Sequence, residues 1–297
     1  MRSTNHRQRA RCVIAINVKV SFMLRFKNKT VVITGAGSGL GRGLALDFSK
    51  LGWKVAVSDV NLERARETVR LMNGNGRGLA VKCDVTKPEE IQSLADTVLA
   101  TWGGADIIIN NAGVPVVGIM DKITLEDWKF EIDIMLMSVV CGCRTFIPIF
   151  KKQGWGHIVN VASSAGIVSL PEMSPYNVTK AGVISLSETL RVELKGSNIG
   201  VTVVCPTFFK SNLLDQFRVT DERQLRMADS FFNRFSFGTA ESVSAATLKA
   251  IKKNKLFVLP QPDSKLLWFM KRMAPNTYHN VNAFLYARGI MDKILGI

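Results

Sequence analysis

Six short runs rich in β-branched and apolar residues recur along this chain. Each leads toward a stretch with helical spacing, and no other feature constrains the fold as much. Residues 30–34, 54–59, 78–83, 105–110, 157–162 and 200–205 read as strands. Residues 40–51, 62–72, 88–102, 125–152 and 174–195 read as the intervening helices, and 255–259 is a candidate seventh strand. Most strand runs are apolar throughout rather than alternating. Strands buried on both faces carry that pattern, so the prediction is a parallel sheet with helices on each side. The predicted class is α/β, a single doubly wound domain of about seven strands over residues 28–260.

Charge is the next constraint. The 297 residues carry a formal charge of +15, which on its face suggests nucleic acid or an anionic membrane. Its distribution argues otherwise. Arg2, Arg7, Arg9, Arg11, Lys19, Arg25, Lys27 and Lys29 give the first 29 residues +8 with no acid, and residues 252–297 add +6. The middle is left at +1, and no recognition helix or RNA-binding motif occurs in it, so no nucleic-acid partner is expected. Residues 1–27 read as a basic extension, either the product of an upstream start before Met23 or a disordered tail. A membrane-surface anchor and a cleaved signal are the other readings. No run of about 18 apolar residues is evident, so no standard membrane-spanning helix is predicted.

Five cysteines (12, 83, 141, 143 and 205) form no CxxC pair, and three histidines (6, 157 and 279) have no metal-ligand spacing. Reduced thiols, a cytoplasmic location and no metal site follow.

The first strand runs into Thr34-Gly35-Ala36-Gly37-Ser38-Gly39-Leu40-Gly41, where a helix begins. Glycines there let backbone approach a pyrophosphate, whose charge the helix N-terminus favours. Asp59 closes the second strand, 24 residues after Gly35. A carboxylate at that position accepts hydrogen bonds from the adenosine ribose hydroxyls and repels a 2′-phosphate. No Lys or Arg occupies 36–40 or 60–62, so NAD is preferred over NADP, with Arg42 as the one nearby cation that blurs the preference.

This loop, with Tyr176-Asn177-Val178-Thr179-Lys180, resembles the short-chain dehydrogenase/reductase family, whose domain is Rossmann-type. Asp84-Val85 resembles the family's adenine-contacting pair. Asn110-Asn111-Ala112-Gly113 resembles its NNAG segment, and Pro206-Thr207 its Pro-Gly after strand six. Ser163 stands 13 residues before Tyr176, where the family places a catalytic serine. The resemblance covers about 28–250 and implies an NAD(P)-dependent oxidoreductase interconverting an alcohol and a ketone or aldehyde. Gly35, Ser38, Gly39, Leu40, Gly41, Asp59, Asp84, Val85, Asn111, Ala112, Gly113, Pro206, Thr207 and Ser211 would then contact the cofactor, together with Tyr176 and Lys180. It also implies a homodimer or homotetramer.

Tyr176 and Lys180 are four apart, so they share a helix face. A free tyrosine has a pKa of about 10, and a nearby ammonium favours the phenolate. Tyr176 is thus the expected proton carrier and Lys180 its activator, with Ser163 the hydrogen-bond donor to the substrate oxygen; the family resemblance further implies that Lys180 holds the nicotinamide ribose. One position departs from the family. Its asparagine in the helix after NNAG falls on Met135, and a thioether cannot make an amide's hydrogen bonds. An alternative reading is therefore a catalytically impaired NAD(H)-binding regulatory or scaffold protein.

Phe208, Phe209, Phe217, Phe231, Phe232, Phe235 and Phe237 crowd the expected substrate lid, about 207–238. They read as the wall of an apolar cavity for a lipophilic substrate, or equally as packing. Residues 261–297 form a basic amphipathic tail, with Val281, Phe284, Leu285, Ile294 and Leu295 on one stripe. It suits peripheral membrane contact, and packing on its own domain or a neighbouring subunit is the plainer reading.

Overall fold

The computed structural model describes residues 25–72, 77–209, 218–236 and 238–295. Its centre is a seven-stranded sheet. The strands are β1 (Thr30–Thr34), β2 (Lys54–Asp59), β3 (Gly78–Lys82), β4 (Ile107–Asn110), β6 (Gly156–Val161), β7 (Ile199–Val204) and β9 (Phe257–Val258), in the order β3-β2-β1-β4-β6-β7-β9. Every pairing is parallel, with Val31 opposite Val55 on one side of β1 and Ile107 on the other. The order reverses between β1 and β4. In such sheets that reversal opens a crevice beyond the strand C-termini, where ligands bind.

Helices α1 (Gly39–Lys50), α2 (Leu62–Arg70) and α9 (Ala240–Lys252) cover one face. Helices α3 (Pro88–Trp102), α5 (Ser138–Gln153) and α7 (Ser174–Glu193) cover the other. Each face has its own core. Val31, Ile33, Val55 and Ile109 pack with Leu44 and Phe48 on one side. Val32, Ala56, Ile108 and Ile158 pack with Phe146 and Phe150 on the other. Phe48, Phe146 and Phe150 are fully buried, and such rings stabilise a fold by roughly 2–3 kcal/mol each.

Local chemistry sets the element ends. The Asn61 side chain accepts the N–H groups of Glu63 and Arg64 at the start of α2. Pro88 opens α3, and Gly103 ends it in a left-handed conformation. Thr124 caps α4 (Leu125–Ile132), and Thr239 with Ser242 forms a capping box on α9.

The long helix expected over 125–152 is present but not uniform. After α4 a π-helical segment, Asp133–Met137, intervenes before α5. The whole run Leu125–Gln153 is apolar and long enough to cross a membrane by length and composition, which differs from the expectation that no such run exists. Its own Val139, Cys143, Phe146 and Phe150 are buried in the core under the sheet.

Some features lay outside the reading of the sequence and others sharpen it. A small parallel sheet pairs β5 (Val116–Val117) with β8 (Arg218–Val219) above the main one. Phe26 is buried edge-on against Trp53, near where the folded body was expected to begin. The seventh strand is only Phe257–Val258. The tail is three helices, α10 (Pro262–Met273), α11 (Pro275–Ala287) and α12 (Ile290–Leu295). The turn at Gly289, with φ near 60°, breaks the single stripe proposed through Val281 and Leu295. Between these regions lie the short α6 (Ala165–Val168) and the lid helix α8 (Glu222–Phe235).

Candidate active site

A cavity of about 760 Å³ opens at the C-terminal ends of β1, β2, β4, β6 and β7. Gly35, Ser38, Gly39, Leu40, Asp59, Asp84, Val85, Asn111, Ala112, Gly113, Tyr176, Lys180 and Pro206 all line it, so most of the expected cofactor residues converge. Gly41, Ser163 and Thr207 lie outside the lining. Ser211 falls outside the described residues, as do Cys12, Phe217 and Phe237.

The loop after β1 is built for close approach. Gly35 has φ near 61°, and a side chain there would place Cβ 2.7 Å from the Ala112 Cα. Gly41 is closed in by the Gly35 carbonyl and the Asn111 amide, which explains why it packs the loop rather than facing the cavity. Asn111 locks the two segments together. Its Nδ2 donates to the Thr34 carbonyl at 2.9 Å, and its N–H donates to Thr34 Oγ1 at 3.0 Å. Ser38 makes no side-chain cap at the start of α1, so that helix end presents uncapped N–H groups beside the cavity. These residues fit a dinucleotide, with the pyrophosphate at this helix end.

Asp59 accepts the Gly37 N–H at 2.9 Å and the Asn61 N–H at 3.0 Å. The cation expected to trouble it, Arg42, is engaged elsewhere. Its guanidinium pairs with Glu67 at 2.7 Å and donates to Thr68 and to the Gly37 carbonyl. Arg64 lines the cavity instead. It was missed because it sits one helical turn into α2, five residues past Asp59.

Tyr176 and Lys180 share a face of α7 as expected, with the Lys180 ammonium 5.7 Å from the tyrosine ring centre. Gly166 lets α6 lie close against α7, since a Cβ there would lie 2.5 Å from the Lys180 carbonyl carbon. Ser163 Oγ accepts the Ala165 N–H at 3.1 Å and donates to the Pro206 carbonyl at 3.4 Å. The electrostatics differ from the expected activation. Burial pushes the Tyr176 hydroxyl up to about 12, with the Ser163 hydrogen bond opposing it. Burial also pulls Lys180 down to about 8, against the attraction of Glu131. The ammonium donates to the Val161 carbonyl at 2.9 Å.

Met135, in the π-helical segment, is buried, and its sulfur packs where a Gly113 Cβ would come within 2.5 Å. Phe130, Asp133 and Ile134 complete that wall, and the helical pattern of 125–152 gave no sign of which side faced the cavity. Of the phenylalanine cluster, Phe209 reaches the wall and Phe208 does not. The thiols of Cys143 and Cys205 are buried and pushed up to about 12, and no group of His, Cys, Asp and Glu among the described residues could hold a metal.

A glycine-rich turn at the reversal point of a parallel sheet, facing a Tyr–Lys pair across one cavity, defines a dinucleotide-binding oxidoreductase of Rossmann type. The short chain dehydrogenase family matches residues 29–222. The chain is 33% identical to a D-beta-hydroxybutyrate dehydrogenase of Rhizobium meliloti over 67% of its length and 78% of that protein's. It is 33% identical to a cyclohexanol dehydrogenase of an Acinetobacter species over 65% of its length and 78% of that protein's. A short-chain dehydrogenase/reductase from Burkholderia phymatum, solved in complex with NAD, superposes with a TM-score of 0.78 at 30% identity. That match covers 85% of this chain and 96% of the other. The chain belongs to the short-chain dehydrogenase family and is an oxidoreductase with the family's NAD(P)-binding fold.

Proposed function

We propose that this chain is an NAD-dependent dehydrogenase interconverting a lipophilic secondary alcohol and its ketone, with Tyr176 as general acid and base. The observation that carries this reading is convergence. Tyr176 and Lys180 line the same cavity as Asp59 and the glycine loop, and Ser163 works against the burial that holds Tyr176 protonated. Relatives named for cyclohexanol and hydroxybutyrate support a secondary alcohol. Phe130, Phe209 and Ile134 on the wall support an apolar one.

When bound, the nicotinamide accepts or supplies the hydride. Asp59 receives the adenosine ribose, and its carboxylate disfavours a 2′-phosphate, although Arg64 beside it narrows the preference. Ser163 donates a hydrogen bond to the substrate oxygen. Tyr176 accepts the hydroxyl proton in oxidation and returns it in reduction. Burial alone holds Tyr176 protonated, so positive charge is required to release it. Lys180 is the chain's own source of that charge.

The test is a panel of lipophilic alcohols assayed with NAD and NADP in wild type and Tyr176→Phe. Wild type should turn over with NAD, and the variant should lose at least about a hundredfold in rate while binding NAD normally. Undiminished turnover in Tyr176→Phe would refute the assignment. A second reading, an NAD(H)-binding regulatory or scaffold protein, has Met135 as its support.

The tail adds a location. Leu266, Phe269, Met270 and Met273 recur at helical spacing on α10, and all are exposed. Val281 and Phe284 are exposed on α11, with Arg272 against Trp268 and Arg288 against Phe284. An apolar stripe edged by cations fits peripheral contact with an anionic membrane surface.

A further inference from the structure

A second cavity, of about 510 Å³, opens beside Ile199, the first residue of β7, at the end of the sheet opposite the cofactor residues. Arg25, Arg191 and Lys195 line it, with Asn254 and the apolar Val192 and Ile199, and no carboxylate does. The charge excess of the two chain ends meets here. Arg25 belongs to the basic first 29 residues, and Asn254 sits among the exposed Lys252, Lys253 and Lys255.

Both guanidinium groups are held by neutral acceptors. Arg25 donates to the Ile251 carbonyl at 3.2 Å and to His157 Nδ1 at 3.0 Å. His157 is fully buried, and its surroundings fix how it bonds. The Thr202 hydroxyl donates to the Lys255 carbonyl at 2.7 Å, so it accepts from His157 Nε2 at 2.8 Å and leaves Nδ1 a lone pair for Arg25. Arg191 donates to Asn254 Oδ1 at 2.6 Å and to the Asn254 carbonyl at 3.0 Å. Asn254 presents both oxygens from a left-handed conformation, with φ near 50°. Gly200 leaves room for the convergence: a Cβ there would collide with Arg25 Nη2 and His157 Nδ1 and lie 2.6 Å from Asn254 Oδ1. None of the ion pairs among the described residues includes Arg25, Arg191 or Lys195.

We propose that this cavity is a phosphate-binding site separate from the cofactor site, in which Arg25 and Arg191 grip a phosphate monoester and Lys195 adds a third positive charge. The acceptors around the two guanidinium groups fix their orientation without cancelling their charge. Each guanidinium has five N–H donors, more than its two acceptors here occupy. Like charges gathered in a pocket without an anion are unfavourable, and Arg191 repels Arg25 in addition to the cost of burying it. A bound anion relieves both. Planar guanidinium forks match the oxygens of phosphate, and three cations suit a dianion better than a single carboxylate. The volume exceeds what a phosphate alone needs, and Val192 and Ile199 offer apolar surface to the group that the phosphate esterifies. That group belongs either to a small soluble ester or to a phospholipid.

The experiment is calorimetric titration of the full chain with glycerol 3-phosphate, NAD being present throughout, and flotation with phosphatidylcholine vesicles with and without phosphatidic acid. Wild type and Arg191→Gln are compared. Glycerol 3-phosphate should bind at one site per chain where glycerol does not, and Arg191→Gln should weaken it by at least about tenfold. Flotation that requires phosphatidic acid and is lost in Arg191→Gln would support the site and assign its phosphate to a lipid. Soluble binding lost in Arg191→Gln, with flotation unchanged, would support it and assign the phosphate to a free ester. Binding of neither probe, or binding of both to Arg191→Gln as tightly as to wild type, would overturn the proposal. Should Arg191→Gln not fold, nitrogen NMR of the arginine side chains in wild type decides. Arg25 and Arg191 Nε signals that move together as glycerol 3-phosphate is added support the site, and signals that stay in place overturn it.

Discussion

Met135 occupies the buried wall between Gly113 and α7, in the turn after Glu131. The family's asparagine at this place would bring an amide, and methionine brings only dispersion contacts and a weak acceptor. If proton supply to Lys180 limits turnover, Met135→Asn should raise kcat by about tenfold, less than the full worth of a proton-transfer group. Stopped-flow and steady-state rates at matched pH would read this, and an unchanged kcat would show that the amide is not missed. Single residues were unevenly legible. Asp59, Tyr176 and Lys180 could be placed because spacing carries their chemistry. Glu131 and Arg64 could not, because each looks like an ordinary surface charge until the packing is known.

At the level of elements, the site depends on how closely α6 and α7 approach, and Gly166 sets that distance. Gly166→Ala would push a methyl into the backbone of Lys180 and Ala181, a clash of the overpacking kind that costs about 1–3 kcal/mol. We expect a matching loss in urea unfolding. The fall in kcat should exceed the fall in NAD affinity, since the glycine loop after β1 lies elsewhere. Equal losses would show that the helix pair does not set the catalytic geometry. Elements with strong punctuation were readable: α3 runs from Pro88 to Gly103 as its residues dictate. The two-residue strands β5 and β8 were not, because so short a pairing has no periodicity and is imposed by tertiary contacts. The π-helical segment was likewise invisible, since its one-residue offset changes which side of a helix faces inward without altering composition.

At the level of the whole molecule, the excess positive charge lies toward the chain's ends, and the apolar stripe of α10 shares the C-terminal one. Phe269→Glu together with Phe284→Glu should abolish co-flotation with anionic vesicles while leaving turnover of a soluble substrate unchanged. Flotation equal to wild type would remove the membrane reading, and a change in oligomer size on the same substitutions would assign the stripe to a second copy. Point substitutions are needed because the tail is fastened to the domain. Arg223 of α8 pairs with Glu172 at 2.9 Å and with Asp292 of α12 at 2.8 Å, and the Tyr286 hydroxyl also donates to Glu172. Lys271 of α10 donates to the Ile167 carbonyl in α6. Glu172 itself stands two residues before α7, with φ near 58°. Shortening the chain at residue 261 would strip this buried carboxylate of a donor and Arg223 of an anion, beside the helix that carries Tyr176. A truncated protein that lost activity would thus report disturbed packing around Glu172 as readily as a missing anchor, so the tail cannot be removed as though it were a free handle.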